Sequence, residues 1–249
     1  MFKLMKADFY RVFHKKFFYI YTIFCTAAFG LIVLGMNPST ISNEEYVTFA
    51  NIIIMLSTLV IGIFLYSILY GDDLKYKNSQ SILGFGYNRK DVIIRKFIIF
   101  TLLVILAFAY LYLIINIYAF LFNFKIDAQM HKMMLNNIFK KILMILSYAS
   151  ITNMMAFSTQ NATASIVVFV LLVTGTISTI LNLILTAGPV VRLIGDLSPY
   201  LVSTLVETMG ASLLTKGTII GKELLFMLLY LVITTIAAMQ LFEHKELEF

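Results

Sequence analysis

The chain has 249 residues, of which 60% are hydrophobic and 13% are charged, with a net charge of +6 and a mean hydropathy of +0.91. This composition excludes a soluble globular domain and is typical of a protein that crosses a membrane several times. The basic residues lie beside apolar segments, so positive-inside topology accounts for the net charge and nucleic-acid binding is not expected. The apolar segments lack the ten-residue alternation of a transmembrane β-barrel, which predicts an all-α membrane protein.

Residues 1–16 form a basic segment with a helical pattern. At 100° per residue its apolar side chains share one arc and its basic side chains lie outside that arc: Phe2, Met5, Phe9, Val12 and Phe13 against Lys3, Arg11, His14 and Lys15. We predict an N-terminal interfacial elbow helix that rests in the headgroup layer. This helix acts either as a topology anchor alone or also as a contact for a cytoplasmic partner.

Six transmembrane helices are predicted from the apolar segments, which are long enough to cross the bilayer. They cover residues 17–36, 47–70, 97–122, 138–157, 164–187 and 219–242. Spans 4 and 5 come from the longest uncharged run, residues 142–191. A helix of that length would reach about 75 Å, over twice the ~30 Å hydrocarbon thickness. We therefore predict a tight turn at the polar cluster 158–163.

Two longer connections join these spans. Residues 71–96 form a polar loop between spans 2 and 3, and residues 188–218 form an outer segment before span 6. In the outer segment, Ser198 and Pro199 are typical of a helix start. An apolar helical face follows, which predicts an interfacial or re-entrant helix; it comprises Leu201, Val202, Leu205, Val206, Met209 and Leu213.

The distribution of Lys and Arg predicts the orientation. Twelve of these residues lie on the side shared by the N-terminal segment, the 71–96 loop and the tail, and seven lie on the other side. Both termini are therefore expected in the cytoplasm. Lys140 and Lys141, at the outer end of span 4, are expected to extend toward the outer interface.

The sequence lacks the chemistry of a self-powered transporter or an enzyme. We expect no buried Asp, Glu, Lys or Arg inside a span, whereas ion-driven transporters generally need intramembrane ionisable groups. The chain has no phosphate-binding loop, so ATP hydrolysis is not expected of it. Its three His residues are too scattered for a metal site. We predict no catalytic residue, no metal ligand and no cofactor bound by this chain.

The 71–96 loop carries the most informative polar pattern. Paired glycines precede a possible helix N-cap at Asn88, with Asp91 three residues later as in a capping box. A plain topology loop needs positive charge but not these features, so we predict a docking role. The residues expected to dock are Gly84, Phe85, Gly86, Tyr87, Asn88, Arg89, Lys90 and Lys96.

A Gly-x-x-Arg sequence after span 2, followed by a Lys at the start of span 3, resembles ABC-2 type transporter permeases, also called type V exporters. The matching positions are Gly86, Arg89 and Lys96, and Gly86-Tyr87-Asn88-Arg89 is one residue longer than the tightest Gly-Ser/Thr-Arg form. The six-span layout, the basic N-terminal helix and the outer segment before span 6 also resemble that family. The resemblance covers essentially the whole chain.

The resemblance implies a homodimer or a heterodimer of permease subunits in a bacterial cytoplasmic membrane, with the homodimer favoured. An ATP-binding subunit would dock under each protomer and hold ATP and Mg. The 71–96 loop would supply the coupling helix, with Arg89 and Lys90 on acidic partner groups and Phe85 and Tyr87 as apolar anchors. The turn at 158–163 would provide a smaller second contact.

Span 5 carries a polar stripe at helical spacing, formed by Gly175, Thr179, Asn182 and Thr186. Such a stripe should face protein or a wet cavity, which predicts a translocation surface or a dimer surface. Ordinary helix packing explains the stripe equally well.

These features together predict the membrane-spanning subunit of an ATP-driven exporter, with amphipathic, antimicrobial or toxin-like peptides as cargo by analogy with the family. The alternative is a non-transporting membrane anchor or regulatory subunit of a sensor or resistance complex. In that case the 71–96 loop binds a signalling partner and the polar stripe only packs.

Overall fold

The computed structural model describes residues 2–35, 41–76, 82–216 and 221–244, and within these ranges the chain is helical without strands. The helices in chain order are α1 Phe2–Phe13, α2 Lys16–Gly35, α3 Asn43–Lys75, α4 Arg89–Leu121, α5 Ala128–Thr159, α6 Ala162–Val173, α7 Thr176–Leu185, α8 Gly188–Ile194, α9 Val202–Lys216 and α10 Gly221–Glu243. The all-α prediction is confirmed. The predicted tail beyond residue 244, residues 77–81 of the predicted docking loop and the first two residues of predicted span 6 lie outside the described ranges.

Among the described residues, four helices are long and apolar enough to cross a membrane: α3, α4, α5 and α10. The pair α6 and α7 meets the same criterion together but is bent by 66°, so the number rises to five if the pair forms one span. These helices agree with a multi-pass membrane protein. The six-span count, and α2 as the first span, stay predictions, as does the interfacial position of α1.

The helices extend beyond the apolar segments that predicted them. Helix α5 begins at Ala128 rather than residue 138, because the Asp127 side chain accepts a hydrogen bond from the Met130 amide at 2.7 Å. Helix α3 begins at Asn43 because Ser42 and Glu45 form a complete capping box. In both helices, an N-cap allows polar residues to form helical turns before the apolar segment begins.

The turn between α5 and α6 lies where the sequence predicts it. Gln160 ends α5 with φ of 56°, in the left-handed region. Asn161 then opens α6, since its side chain accepts a hydrogen bond from the Ala164 amide at 3.0 Å. The long uncharged run is thus divided into two helices.

Predicted span 5, residues 164–187, is divided between helices α6 and α7. The helix breaks at Gly175, whose φ of 82° lies in the left-handed region that favours glycine. Helix α7 then leaves at 66° to α6. Periodicity predicts a continuous helix here because the apolar pattern passes through the break without a proline or a charged residue.

The core forms around α5, which packs along α10 and also against α3, α6 and α9. Helix α9 buries much of its predicted apolar face, including Val202, Leu205 and Met209. The part of the core beside the last turns of α3 is aromatic. Tyr66 stacks there on Phe169, with ring centroids 4.3 Å apart. Directly after Tyr66, Ser67–Gly71 of α3 adopts a π-helix.

Helix α2 crosses α4 at a glycine. A Cβ atom on Gly30 would overlap the Tyr118 hydroxyl group, so a larger residue there would displace the Tyr118 ring. The contact is extended by Phe29, whose ring centroid lies 5.2 Å from that of Tyr118, and by a hydrogen bond from the Tyr118 hydroxyl to the Thr26 carbonyl at 3.4 Å.

Gly30→Leu should therefore weaken the attachment of α2. We expect a loss of about 1 to 3 kcal/mol in the free energy of unfolding, as for other overpacked helix contacts, and a lower unfolding temperature in detergent. Gly35→Leu is the matched control on the same helix, because no described residue lies within 4 Å of a Cβ atom there. Equal effects of the two substitutions would contradict the crossing.

Candidate functional site

Helix α1 packs against the bundle rather than lying apart from it. Val12 is fully buried, and Met5, Phe9 and Phe13 are partly buried against the core. The apolar face predicted to enter the headgroup layer is therefore used, at least at these four positions, to contact the other helices. Helix α1 is thereby placed beside the end of α3 and the start of α4.

Seven charged side chains connect these three helices, and we call them the charge cluster. They are Asp8, Arg11 and Lys15 near α1, Asp72 and Asp73 at the end of α3, and Arg95 and Lys96 in α4. Asp73 pairs with both Arg11 and Lys96, and Lys15 pairs with Asp72. Asp8 lies 3.4 Å from Arg11, 3.6 Å from Lys96 and 3.7 Å from Arg95.

The centre of the charge cluster is buried. Asp73 and Arg95 are each 2% exposed and Lys96 is 1% exposed. These charges lie outside the predicted spans 47–70 and 97–122, so the expectation of no buried charge inside a span is not contradicted. Helices α3 and α4 continue past their apolar runs, and α1 covers the charged turns that follow. Burial lowers the pKa of Lys15, and the neighbouring Arg11 cation lowers it further.

The π-helix of α3 sets the direction of the two cluster carboxylates. One wide turn rotates every following side chain by about 100° relative to an unbroken α-helix. Asp72 and Asp73 follow Ser67–Gly71 immediately. Their position toward α1 and α4 therefore depends on that single turn.

The predicted docking residues form a turn at 82–91, at the same end of the bundle. Gly86 has φ of 83°, and its amide donates to the Leu83 carbonyl at 2.9 Å, which closes the turn. Phe85 projects from it with 84% exposure, and Tyr87 is also exposed. Asn88 occupies the N-cap position of α4, but its side chain makes no capping hydrogen bond, so the predicted capping box with Asp91 is not formed.

The start of α4 is held by α10 instead. Arg89 Nη1 donates to the carbonyls of Phe242 at 2.5 Å and Glu243 at 2.9 Å. The Arg89 guanidinium also lies 5.5 Å from the centroid of the Phe242 ring. Lys90 Nζ lies 3.1 Å from a carboxylate oxygen of Glu243. Arg89 thus satisfies free carbonyls at the C-terminus of α10, where a cation is favourable.

These contacts separate the predicted docking residues into two groups. Phe85 and Tyr87 are available to a partner, while Arg89 and Lys90 already bind α10. Lys96 is buried in the charge cluster and is not available to a partner. Sequence reasoning missed Asp8, Asp73 and Arg95, although opposite charges at the ends of adjacent spans were a signal for pairing.

The polar stripe of predicted span 5 is divided by the bend. Gly175 lies at the break, whereas Thr179, Asn182 and Thr186 lie on or directly after α7 and are exposed. The Thr179 hydroxyl donates to the Gly175 carbonyl at 2.9 Å, and the Thr186 hydroxyl donates to the Asn182 carbonyl at 2.7 Å. Both hydroxyls are therefore satisfied within their own helix.

No group of three or more His, Cys, Asp or Glu side chains in the described part of the chain could hold a metal ion. No family model matches the chain, and no curated protein sequence is significantly similar to it. The proposal of a function therefore rests on the residues, their geometry and the resemblance described in the sequence analysis.

The two adjacent carboxylates provide a test of the charge cluster. Asp73→Asn leaves Arg11 and Lys96 without their main counter-ion in a buried site, so we expect a loss of about 3 to 5 kcal/mol in the free energy of unfolding. Asp72→Asn removes only a partly exposed pair with Lys15, which should cost about 0 to 1 kcal/mol. Chemical unfolding in detergent measures both values. A similar loss for the two variants would contradict a buried centre at Asp73.

Proposed function

We propose that this chain is the membrane-spanning subunit of an ATP-driven exporter and that a separate ATP-binding subunit docks on the 82–91 turn. The proposal rests on one observation: the turn exposes an aromatic side chain, and the residues that follow it are bound to α10. Phe85 is 84% exposed, whereas the neighbouring Arg89 and Lys90 bind the last turn of α10. An exposed aromatic side chain of this kind is typical of an interface anchor.

The connections of the turn support a mechanical role. A displacement of the 82–91 turn would move α4 directly and α10 through Arg89. The charge cluster would pass the same displacement to α1 and α3, because Lys96 of α4 pairs with Asp73 and Asp8. Phosphate hydrolysis would remain the chemistry of the partner, which would hold ATP and Mg.

Cargo and assembly follow from the resemblance to ABC-2 type permeases. We infer amphipathic or hydrophobic peptides of the antimicrobial or toxin class as cargo, and two copies of this chain in the unit. Helix α7 is the candidate surface, since its exposed side chains include Thr179 and Asn182 beside Ile180 and Leu183. Both termini would face the bacterial cytoplasm.

A non-transporting anchor or regulatory subunit is the second candidate. It is favoured by the hydrogen bonds of Thr179 and Thr186, which are made within α7. These hydroxyls need neither a wet cavity nor a polar cargo, so the two threonine positions can face lipid or a packed helix at little cost.

Purification from the native membrane in mild detergent distinguishes the two candidates. We expect an ATPase with a phosphate-binding loop to accompany the wild-type chain, and Phe85→Ala to reduce its recovery because the apolar anchor is lost. Phe120→Ala is the matched control, since Phe120 is 83% exposed near the opposite end of α4. A wild-type chain that never carries an ATPase would overturn the exporter proposal.

Arg89→Ala separates coupling from docking. Loss of the Arg89 bonds should free the end of α10, so a cysteine placed at Glu243 should react faster with a water-soluble thiol reagent than in the wild-type background. Phe85→Ala should not change that rate. If ATPase recovery falls equally in both variants while only Arg89→Ala frees α10, both positions contribute to docking. An unchanged rate in Arg89→Ala would contradict the attachment of the turn to α10.

A further inference from the structure

An apolar cavity lies between α2, α3 and α4, and we call it the α2–α4 slot. Its volume of about 300 Å³ is at the lower end of the range for ligand sites. The described side chains that line it include Phe13, Thr22, Ile61, Leu65, Ala107 and Tyr110. It is separate from the charge cluster, from the 82–91 turn and from α7.

The crossing of α2 and α4 closes one end of the slot. The Thr26 hydroxyl lies 2.9 Å from the Tyr110 hydroxyl, and Gly30 packs on Tyr118 one turn further along α2. On α2, the slot is lined by Thr22, which precedes the crossing, and Phe13 of α1 lines the slot on the same side. Along α4 it extends from Leu103 to Ile114, about 16 Å of helix, within a helix that is long and apolar enough to cross a membrane.

The lining distinguishes between possible occupants. A peptide segment at this depth would need partners for its own N–H and C=O groups, which the hydrocarbon core does not supply. The polar side chains of the described lining are Thr22, Ser57 and Tyr110, and the Tyr110 hydroxyl already bonds Thr26. An unbranched hydrocarbon chain fits this surface, because it has no polar group to satisfy.

The cations beside the slot indicate which kind of lipid headgroup would accompany such a hydrocarbon chain. His14, Lys15 and Lys16 connect α1 to α2, and Lys15 is engaged by Asp72. Lys16 is exposed and forms no ion pair with any described residue. It lies about 9 Å along the helix axis from Thr22 of the lining, at the end of the bundle that carries α1. A cation at that depth attracts anionic lipid.

We propose that the α2–α4 slot binds one acyl chain of an anionic phospholipid, which enters from the leaflet on the α1 side and places its phosphate near Lys16. The lipid would fill the space between α2 and the rest of the bundle and so help to fix the position of α2. The proposal does not depend on transport or on an ATP-binding partner, so it can fail or succeed independently of the proposed function.

Photocrosslinking of the full chain in vesicles tests the site. The probe is phosphatidylglycerol with a diazirine in the middle of one acyl chain, diluted into phosphatidylcholine. We expect crosslinks in peptides 57–65 and 103–114 to exceed those on the lipid-facing side of α10, at Leu228, Val232 and Ile233. Uniform labelling of all lipid-facing helices would overturn the proposal, because it would indicate surrounding lipid only.

Two variants of α4 form a matched pair for this measurement. Ala107→Phe places a ring in the slot and should lower the slot crosslinks about tenfold, a change equivalent to 1.4 kcal/mol of binding. Ala109→Phe lies outside the lining on an exposed position of the same helix and should leave the crosslinks unchanged. Equal behaviour of the two variants would overturn the site.

Competition in detergent tests the wild-type chain without any substitution. Unlabelled phosphatidylglycerol should displace the probe from the slot and lower the slot crosslinks to a saturating limit. A linear response of the slot crosslinks to the unlabelled lipid would overturn the site.

The headgroup and the competing occupant are tested in the same assay. Lys16→Gln should lower the preference for phosphatidylglycerol over phosphatidylcholine about fivefold, the effect of one cation near an anionic surface. Lys6→Gln, on an exposed position of α1, should not. Equal labelling by both lipids in the wild-type chain would overturn the anionic assignment. Displacement of the probe by an amphipathic peptide would overturn lipid as the occupant and assign the slot to cargo.

Discussion

The burial of charge at one end of the bundle is the constraint on which the rest of the structure depends. Asp73 and Lys96 are nearly inaccessible, and neither could remain ionised there alone. Each needs the other, and Asp8 and Arg11 of α1 complete the arrangement. Lys96 joins the ends of α3 and α4 directly, and helix α1 adds Asp8 and Arg11 to this contact. Coulombic pairing, rather than apolar packing alone, fixes the geometry of this end.

The 82–91 turn takes its position from that arrangement. Its base is the start of α4, which is held on one side by the charge cluster and on the other by the contact of Arg89 with α10. The exposed Phe85 therefore lies next to a helix start that is fixed by contacts on two sides. The opposite arrangement occurs at α7, which follows a glycine bend and has little of its surface buried. The start of α4 is thus fixed by contacts on two sides, whereas α7 has few contacts that fix its position.

Local features of the fold could be predicted from the sequence where a single residue decides the structure. The turn at 158–163 follows from the length of the uncharged run, and the buried face of α9 follows from its periodicity. The bend at Gly175 could not be predicted, because a helical glycine and a left-handed glycine have the same sequence signal. The pairing of Asp8 with Arg95 and Lys96 depends on residues more than eighty positions apart, so composition near each span does not reveal it.

Because of the π-helix in α3, the direction of Asp72 and Asp73 depends on the number of residues that precede them in that helix. Since the wide turn behaves as one extra residue in an otherwise regular helix, the two acids that follow it are aimed by a count of residues as well as by their chemistry. A shortened segment could keep every apolar and charged side chain of α3 and still turn its carboxylates toward the wrong neighbours. The number of residues between the aromatic core and the charged end therefore helps to determine which side chains pair.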